Sequence, residues 1–447
     1  MDDERPRAQA AKRAGEFLRN QALADAHTLG PGAITQANSQ RKRWGLRGGR
    51  YYPSHSSAPT ANGLGSFALA LGLDPIAWAE RAARFARGPV AALMALSEQV
   101  KRRRRGKRLP GALSAARART WLAPAELPAG MLEDLEAMRY DEPRPALRAS
   151  RAALKKAAGP SAVGRLLAIH ASNLRECDEL ADALLALWVA LPTLDVSGDA
   201  WGMGRALTTA AAVVRALGEP DLAGGLIDEA EKMYVRSGSM TGRATVLAFR
   251  GVLARNAGHP RKALCELDAA LALYPPKERL YTACAHQVRS LTLVDLGDLV
   301  AAREDTAAAL TRVPDARALR GRIAWQAAGI ESSAGEHATA EVLLRQAFGL
   351  VSEPLCDRLL IAAQAVRAAI QQGETRRAVA TAKSLLGPLL APLDKPDPTR
   401  RVLSAAHADL YRAALEAGLT SDVVEKAIYR IETARTARRK LLRRQVC

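Results

Sequence analysis

Between residues 33 and 63 the chain gathers side chains suited to reading and gripping nucleic acid. Gln36, Asn38 and Gln40 alternate with small residues, and Arg41, Lys42, Arg43, Trp44, Arg47, Arg50, Tyr51 and Tyr52 follow. Gln, Asn and Arg can make paired hydrogen bonds to adenine and guanine edges, while Arg and Lys neutralise phosphates. Trp and Tyr offer stacking faces, and glycines 45, 48 and 49 let the backbone approach a phosphate. A second basic run, Lys101, Arg102, Arg103, Arg104, Arg105, Lys107 and Arg108, either clamps backbone phosphates or lies solvated in a linker.

Residues arranged for catalysis are not found. The seven histidines are scattered and none forms HExxH, and no GxxxxGK[ST] phosphate loop occurs. The GxG pairs at 63–65 and 202–204 lack the strand a dinucleotide site needs. Cys284 and His286 stand two apart, so on a helix they diverge. The five cysteines are an odd number without a CxxC pair, which argues against a disulfide framework or a zinc knuckle. Cys265 and Cys284 are read as small core residues. The expectation is a protein that is not an enzyme, with no cofactor and no metal.

These side chains need a scaffold, and the composition says of what kind. The 447 residues are 48% apolar and 25% charged, enough for a substantial core, and aromatics at 4% favour helices packed through Ala and Leu over a β-sandwich. No long uncharged apolar window is present, so no membrane span is predicted. The first twenty residues are charged and lack a signal-like apolar stretch, and the chain reads as cytoplasmic. The net charge of +19 is unevenly placed: residues 1–120 hold 22 Lys/Arg and 8 Asp/Glu, residues 430–447 hold 7 and one, and the middle is close to neutral. Two basic ends on a neutral middle suggest a polyanion partner.

That middle is periodic. Gly218, Gly258, Gly297 and Gly335 are each followed by Ala at offsets five and twelve: Ala223 and Ala230, Ala263 and Ala270, Ala302 and Ala309, Ala340 and Ala347. Gly373 continues the series with Ala378 and Leu385, and the glycines recur every 38 to 40 residues. Pro275 and Pro314 follow two of the units by the same interval. Each unit reads as helix, Gly turn, helix, with Ala permitting close approach of the pair. One pair cannot bury its apolar face, so the units must stack.

On these residues, and on the unit Thr245–Pro275 above all, the chain resembles tetratricopeptide repeats over about 204–390, with 150–200 and 400–435 as degenerate or capping helices. The spacing exceeds the family's usual ~34 residues, which implies extended turns between repeats. The bulky aromatic usual in each first helix is mostly missing, with Trp325 the partial exception. The resemblance implies an all-α superhelix that binds a peptide, protein or small signal in a groove lined by first helices. The groove positions carried across are Arg205, Arg215, Arg255, Asn256, Gln287, Asp295, Arg322, Trp325, Gln364 and Arg367. Being mostly donors, they suit an acidic or carboxylate-bearing ligand; the other possibility is a solvated solenoid face.

Trp44, Gly48, Pro53 and Leu71-Gly72-Leu73 resemble the second half of a phage-repressor-type helix-turn-helix domain. Gly45 stands where that family has an acid, and the spacing from Leu23-Ala24 to Trp44 is longer. Fused to a tetratricopeptide array, such a domain implies a bacterial transcriptional regulator. The alternatives for the region are a non-specific polyanion arm and a purely structural segment.

The sequence thus predicts a basic DNA-binding region (1–108), a linker with lead-in helices (109–160), a tetratricopeptide-like array (161–430) and a basic tail (431–447). The expected function is DNA-binding regulation, with duplex DNA as one partner, a peptide, protein or small acidic ligand as the other, and a possible homodimer. The rivals are an interaction scaffold with basic tethers and an RNA-binding protein.

Overall fold

The computed structural model describes residues 88–103 and 130–373 except 353–354, with isolated positions beside them. Its described residues form fourteen helices and no strand. Helix α1 (Gly88–Arg103) is followed by α2 (Met131–Asp141) and α3 (Pro143–Lys156). Five helix pairs then run in tandem. They are α4 (Pro160–Glu176) with α5 (Leu180–Val196), α6 (Ala200–Ala216) with α7 (Pro220–Ser237), α8 (Met240–Asn256) with α9 (Pro260–Leu273), α10 (Arg279–Asp295) with α11 (Leu299–Arg312), and α12 (Arg317–Ser333) with α13 (His337–Leu350). Helix α14 (Leu355–Gln371) opens a sixth unit.

Local sequence explains the starts and stops. Pro143, Pro160, Pro220 and Pro260 sit in first turns, where a missing N–H costs nothing. Asp199, Ser239 and Asp298 cap α6, α8 and α11 by accepting backbone N–H bonds of 2.9, 3.1 and 3.0 Å. Between the helices of a pair, Gly218, Gly258, Gly297, Gly335 and Gly373 all adopt φ between 77° and 86°, the left-handed region that glycine enters without strain. The first pair does the same with Asp178 at φ 63°.

The small residues at offsets five and twelve are the packing seam. Ala223, Ala230, Ala263, Ala270, Ala302, Ala309, Ala340 and Ala347 are all fully buried. Asp178 heads the same pattern, with Ala183 and Ala190 fully buried. Within the third pair, α8 approaches α9 closely at Gly251, where a Cβ would stand 2.7 Å from Leu267 Cγ.

The added length over a shorter repeat lies in the helices as well as the links. Every first helix from α4 to α14 has 17 residues, and α5 and α7 reach 17 and 18. Only after α9, α11 and α13, of 14 residues each, does the link to the next repeat lengthen. The expectation of extended turns throughout is corrected accordingly. Cys265 is also corrected: it lies two residues past Ala263 on α9, away from the seam, and is exposed, while Cys284 is half-buried.

The array is a tetratricopeptide-like solenoid. First helices contact the first helices of neighbouring repeats, whereas second helices make no comparable contacts with one another, so the stack curves with the first helices inside. Helix α1 lies on the outer side against α5 and α7, with Val90 and Leu93 buried. Helix α3 packs on α4, and α2 turns into the interior.

Candidate functional site: a charged channel closed by a helix

Helix α2 reaches four first helices whose residues are far apart in sequence. It packs on α4 and α12, and its side chains bond to Arg205 of α6 and Tyr281 of α10. Such contacts require that the first helices wrap round it. Arg322 of α12 confirms the closure by donating across the channel to Glu176 of α4 at 2.7 Å.

The contacts form two linked groups. In the first, Glu136 of α2 pairs with Arg205 and, at 3.0 Å, with Arg139 one turn along its own helix. Arg205 also donates to the Tyr281 hydroxyl at 2.9 Å, and that hydroxyl donates to Glu136 at 2.5 Å. In the second group Glu176 receives Arg175 and Arg322. Arg139 lies between the groups: it donates to Ser172 of α4 and, at 2.7 Å, to the Tyr140 hydroxyl, and its charge also acts on Glu176. Tyr140 itself is buried among Ala283, Ala309, Val313, Ala316, Leu319 and Ile323.

Burial on its own would raise both carboxyls, but the arginines prevail. Arg205 and Arg139 hold Glu136 below the usual carboxylate range. Arg175, Arg322 and Arg139 hold Glu176 down at about 2. Burial raises the hydroxyls of Tyr140 and Tyr281 and the Cys284 thiol, so these groups stay protonated.

Arg215 is half-buried and lies against the Phe249 ring, with 6.0 Å from guanidinium carbon to ring centroid. Its buried Nε, like those of Arg139, Arg175 and Arg205, has no hydrogen-bond partner. Burial and the nearby Arg175 push its pKa down, only partly offset by Glu176. Five arginines (139, 175, 205, 215 and 322) thus share the interior with four acids, Glu136, Glu176, Glu278 and Asp357.

The expected groove residues fall into three sets. Arg205 and Arg322 converge in the channel, and Trp325 joins Gln364 through a 2.7 Å bond from its indole N–H. Arg255 and Asp295 form an ion pair of 2.6 Å at the partly exposed ends of α8 and α10. Asn256 is exposed, and Gln287 and Arg367 are half-buried. Among the expected DNA-contacting residues, Gln36, Asn38, Gln40, Arg41, Lys42, Arg43, Arg47, Arg50, Arg104 and Arg105 lie outside the described residues. Arg102 and Arg103 are the last residues of α1.

Sequence reasoning missed Glu136, Arg139, Tyr140, Glu176 and Tyr281. The available signal was the acidic stretch MLEDLEAMRYD just ahead of an array whose inner positions are mainly arginine. Among the described residues no cluster of His, Cys, Asp or Glu could hold a metal ion, and no helix is long and apolar enough to cross a membrane.

No protein-family model matches the chain, and no curated protein matches it. Solved helical-repeat structures do. The chain is similar to a Rap protein crystallised with Competence and Sporulation Factor, at 12% identity and TM-score 0.48, covering 78% of this chain and 98% of that one. It is also similar to a putative kinesin light chain of Podosopora anserina with TPR-like repeats, at 16% identity and TM-score 0.35, covering 44% and 97%. A thermophilic tetratricopeptide protein of Thermus thermophilus matches at 20% identity and TM-score 0.33, covering 45% and 98%. At these identities the likeness is one of fold.

Proposed function

We propose that this chain is a helical-repeat interaction protein whose channel takes an acidic helical segment of a partner protein. One observation carries it. The first helices of the repeats bring arginines to a channel that already fits an acidic helix, and Arg215 stands there with only the longer-range attraction of Glu176 and no carboxylate hydrogen-bonded to it. A half-buried guanidinium with no hydrogen-bonded carboxylate is a place that an incoming anion satisfies. Recognition by charge-assisted hydrogen bonds would give specificity for carboxylates over amides or ammonium groups.

The test is a panel of acidic helical peptides and their lysine-substituted counterparts, titrated by fluorescence anisotropy against the full chain. Acidic members should bind and lysine members should not. The Arg215→Gln variant should bind about tenfold more weakly, the scale of one charged hydrogen bond. Equal binding of both peptide sets would overturn the assignment.

A second function has its own support. The +14 of residues 1–120 and the Gln/Asn/Arg/Trp cluster at 36–52 favour a polyanion, and duplex DNA suits those side chains best. On this view the protein is a DNA-binding regulator and the channel receives its signal. Salt-titrated anisotropy on specific and shuffled duplexes decides: a ~10³ preference supports regulation, and equal, salt-abolished binding leaves a basic tether.

A further inference from the structure

Helix α2 is held in an unusual way. Of its residues only Leu135 and Tyr140 are buried apolar groups, while Glu133, Asp134, Ala137 and Met138 are exposed. Met131 and Leu132 pack half-buried against the core beside Leu135, and the polar contacts to the array are one ion pair, Glu136 with Arg205, and hydrogen bonds of Tyr281 to Glu136, Arg139 to Ser172 and the Arg317 N–H to Asp141. The Gly130 N-cap supplies no side-chain bond to its first turn. Behind it, Glu142 is a single extended residue at φ −134°, ψ 93° between α2 and α3. Helix α3 is fastened to α4 independently, by Ser150 with His170 at 2.9 Å and Asn173 with the Ala146 carbonyl at 3.1 Å. The chain therefore has a fixed helix, a one-residue joint, and a polar helix lying in the channel.

A core helix is normally kept by broad apolar burial, which no other small segment can replace cheaply. A three-turn helix kept by one carboxylate–guanidinium pair, a few hydrogen bonds and a narrow apolar edge can be replaced by another helix that offers the same contacts. We infer that α2 is an exchangeable occupant of the channel, and that the partner is an acidic helix presenting a carboxylate with an aromatic residue four positions later, as Glu136 and Tyr140 do. The partner displaces α2, which swings about Glu142 while α3 and the array stay in place. The apparent affinity for a partner is then lowered by the fraction of molecules in which α2 is out. This inference rests on the channel being a partner site, as proposed above.

The experiment uses the full chain and, as probe, a heavy-isotope-labelled fluorescent peptide copying residues 128–143. Anisotropy is measured on wild type and on Glu136→Lys, which sets a cation against Arg205 and Arg139 and drives α2 out. Hydrogen exchange by mass spectrometry follows residues 131–141 in the protein, the heavy probe being separable by mass. The variant should bind the probe at least tenfold more tightly than wild type. In wild type, saturating probe should strip α2 of protection while α4 and α6 keep theirs. If wild type and variant bind equally, or α2 keeps its protection with probe bound, exchangeability is refuted and the channel survives as a partner site. If α2 exchanges freely in the variant and the probe still fails to bind, the partner site itself is refuted. Should the variant not fold, the wild-type exchange decides: α2 amides as protected as those of α4, with and without probe, overturn the inference.

Discussion

His170 makes the docking of α3 on α4 dependent on pH. The ring is 2% exposed and shares a 2.9 Å hydrogen bond with Ser150 of α3. Burial, and then the positive Arg151, push its pKa from 6.5 down to about 4. The folded value lies below the unfolded one, so between pH 4 and 6.5 the unfolded chain binds more protons and stability rises with pH. The contribution is complete above 6.5 and is lost as pH falls towards 4. A shift of this size corresponds to about 3 kcal/mol, of which about 2 kcal/mol is gone by pH 5. Urea unfolding at pH 7 and pH 5 measures it, with hydrogen exchange of residues 143–176 as a local readout in case the array unfolds in stages. His170→Gln cannot titrate, so it should lose far less stability over that interval, which lies above the range in which Glu176 protonates. Equal losses in wild type and variant would refute the assignment of the buried neutral ring.

Three further perturbations test the packing and the channel. Gly258→Ala has open space around the new Cβ but φ 80°. The left-handed penalty of about 1–2 kcal/mol, less about 0.4–1 for the stiffened unfolded chain, should leave a net loss near 1 kcal/mol in urea unfolding. Gly251→Ala meets Leu267 instead and should cost about 1–3 kcal/mol by overpacking, with relief on a second change of Leu267→Ala. Arg215→Met removes a half-buried cation that has no hydrogen-bonded acid, so thermal stability should rise by about 1 kcal/mol while acidic-peptide binding falls; a loss of stability would mean the guanidinium is satisfied within the fold.

The repeat architecture was legible because it is written in backbone necessities. A left-handed turn wants glycine, and close helix pairs want alanine at fixed offsets, so Gly218 to Gly373 with their alanines announced the pairs. The first pair was less visible only because Asp178 takes the glycine's place, though Ala183 and Ala190 keep the offsets. The inner face was half legible. Arg205 and Arg322 follow from the position of first helices in a repeat, but their acids do not. Glu136 and Glu176 are far from them in sequence, and only the curvature of the whole stack brings them together. Cys265 failed for a simpler reason: helical phase, two positions from a seam residue, turns a side chain outwards.

The charged channel also says what kind of discrimination this protein is built for. An apolar channel would hold α2 more tightly and would accept many apolar helices. Here burying Glu136, Glu176 and their arginines gains little net stability, since desolvation offsets most of the attraction. What the arrangement does gain is a steep penalty for the wrong occupant: a segment without a carboxylate at the Glu136 position leaves Arg205 buried and unpaired. Selectivity of this kind is independent of how strongly the helix binds, so a modest intramolecular contact can keep the channel closed to most sequences and still yield to an acidic one.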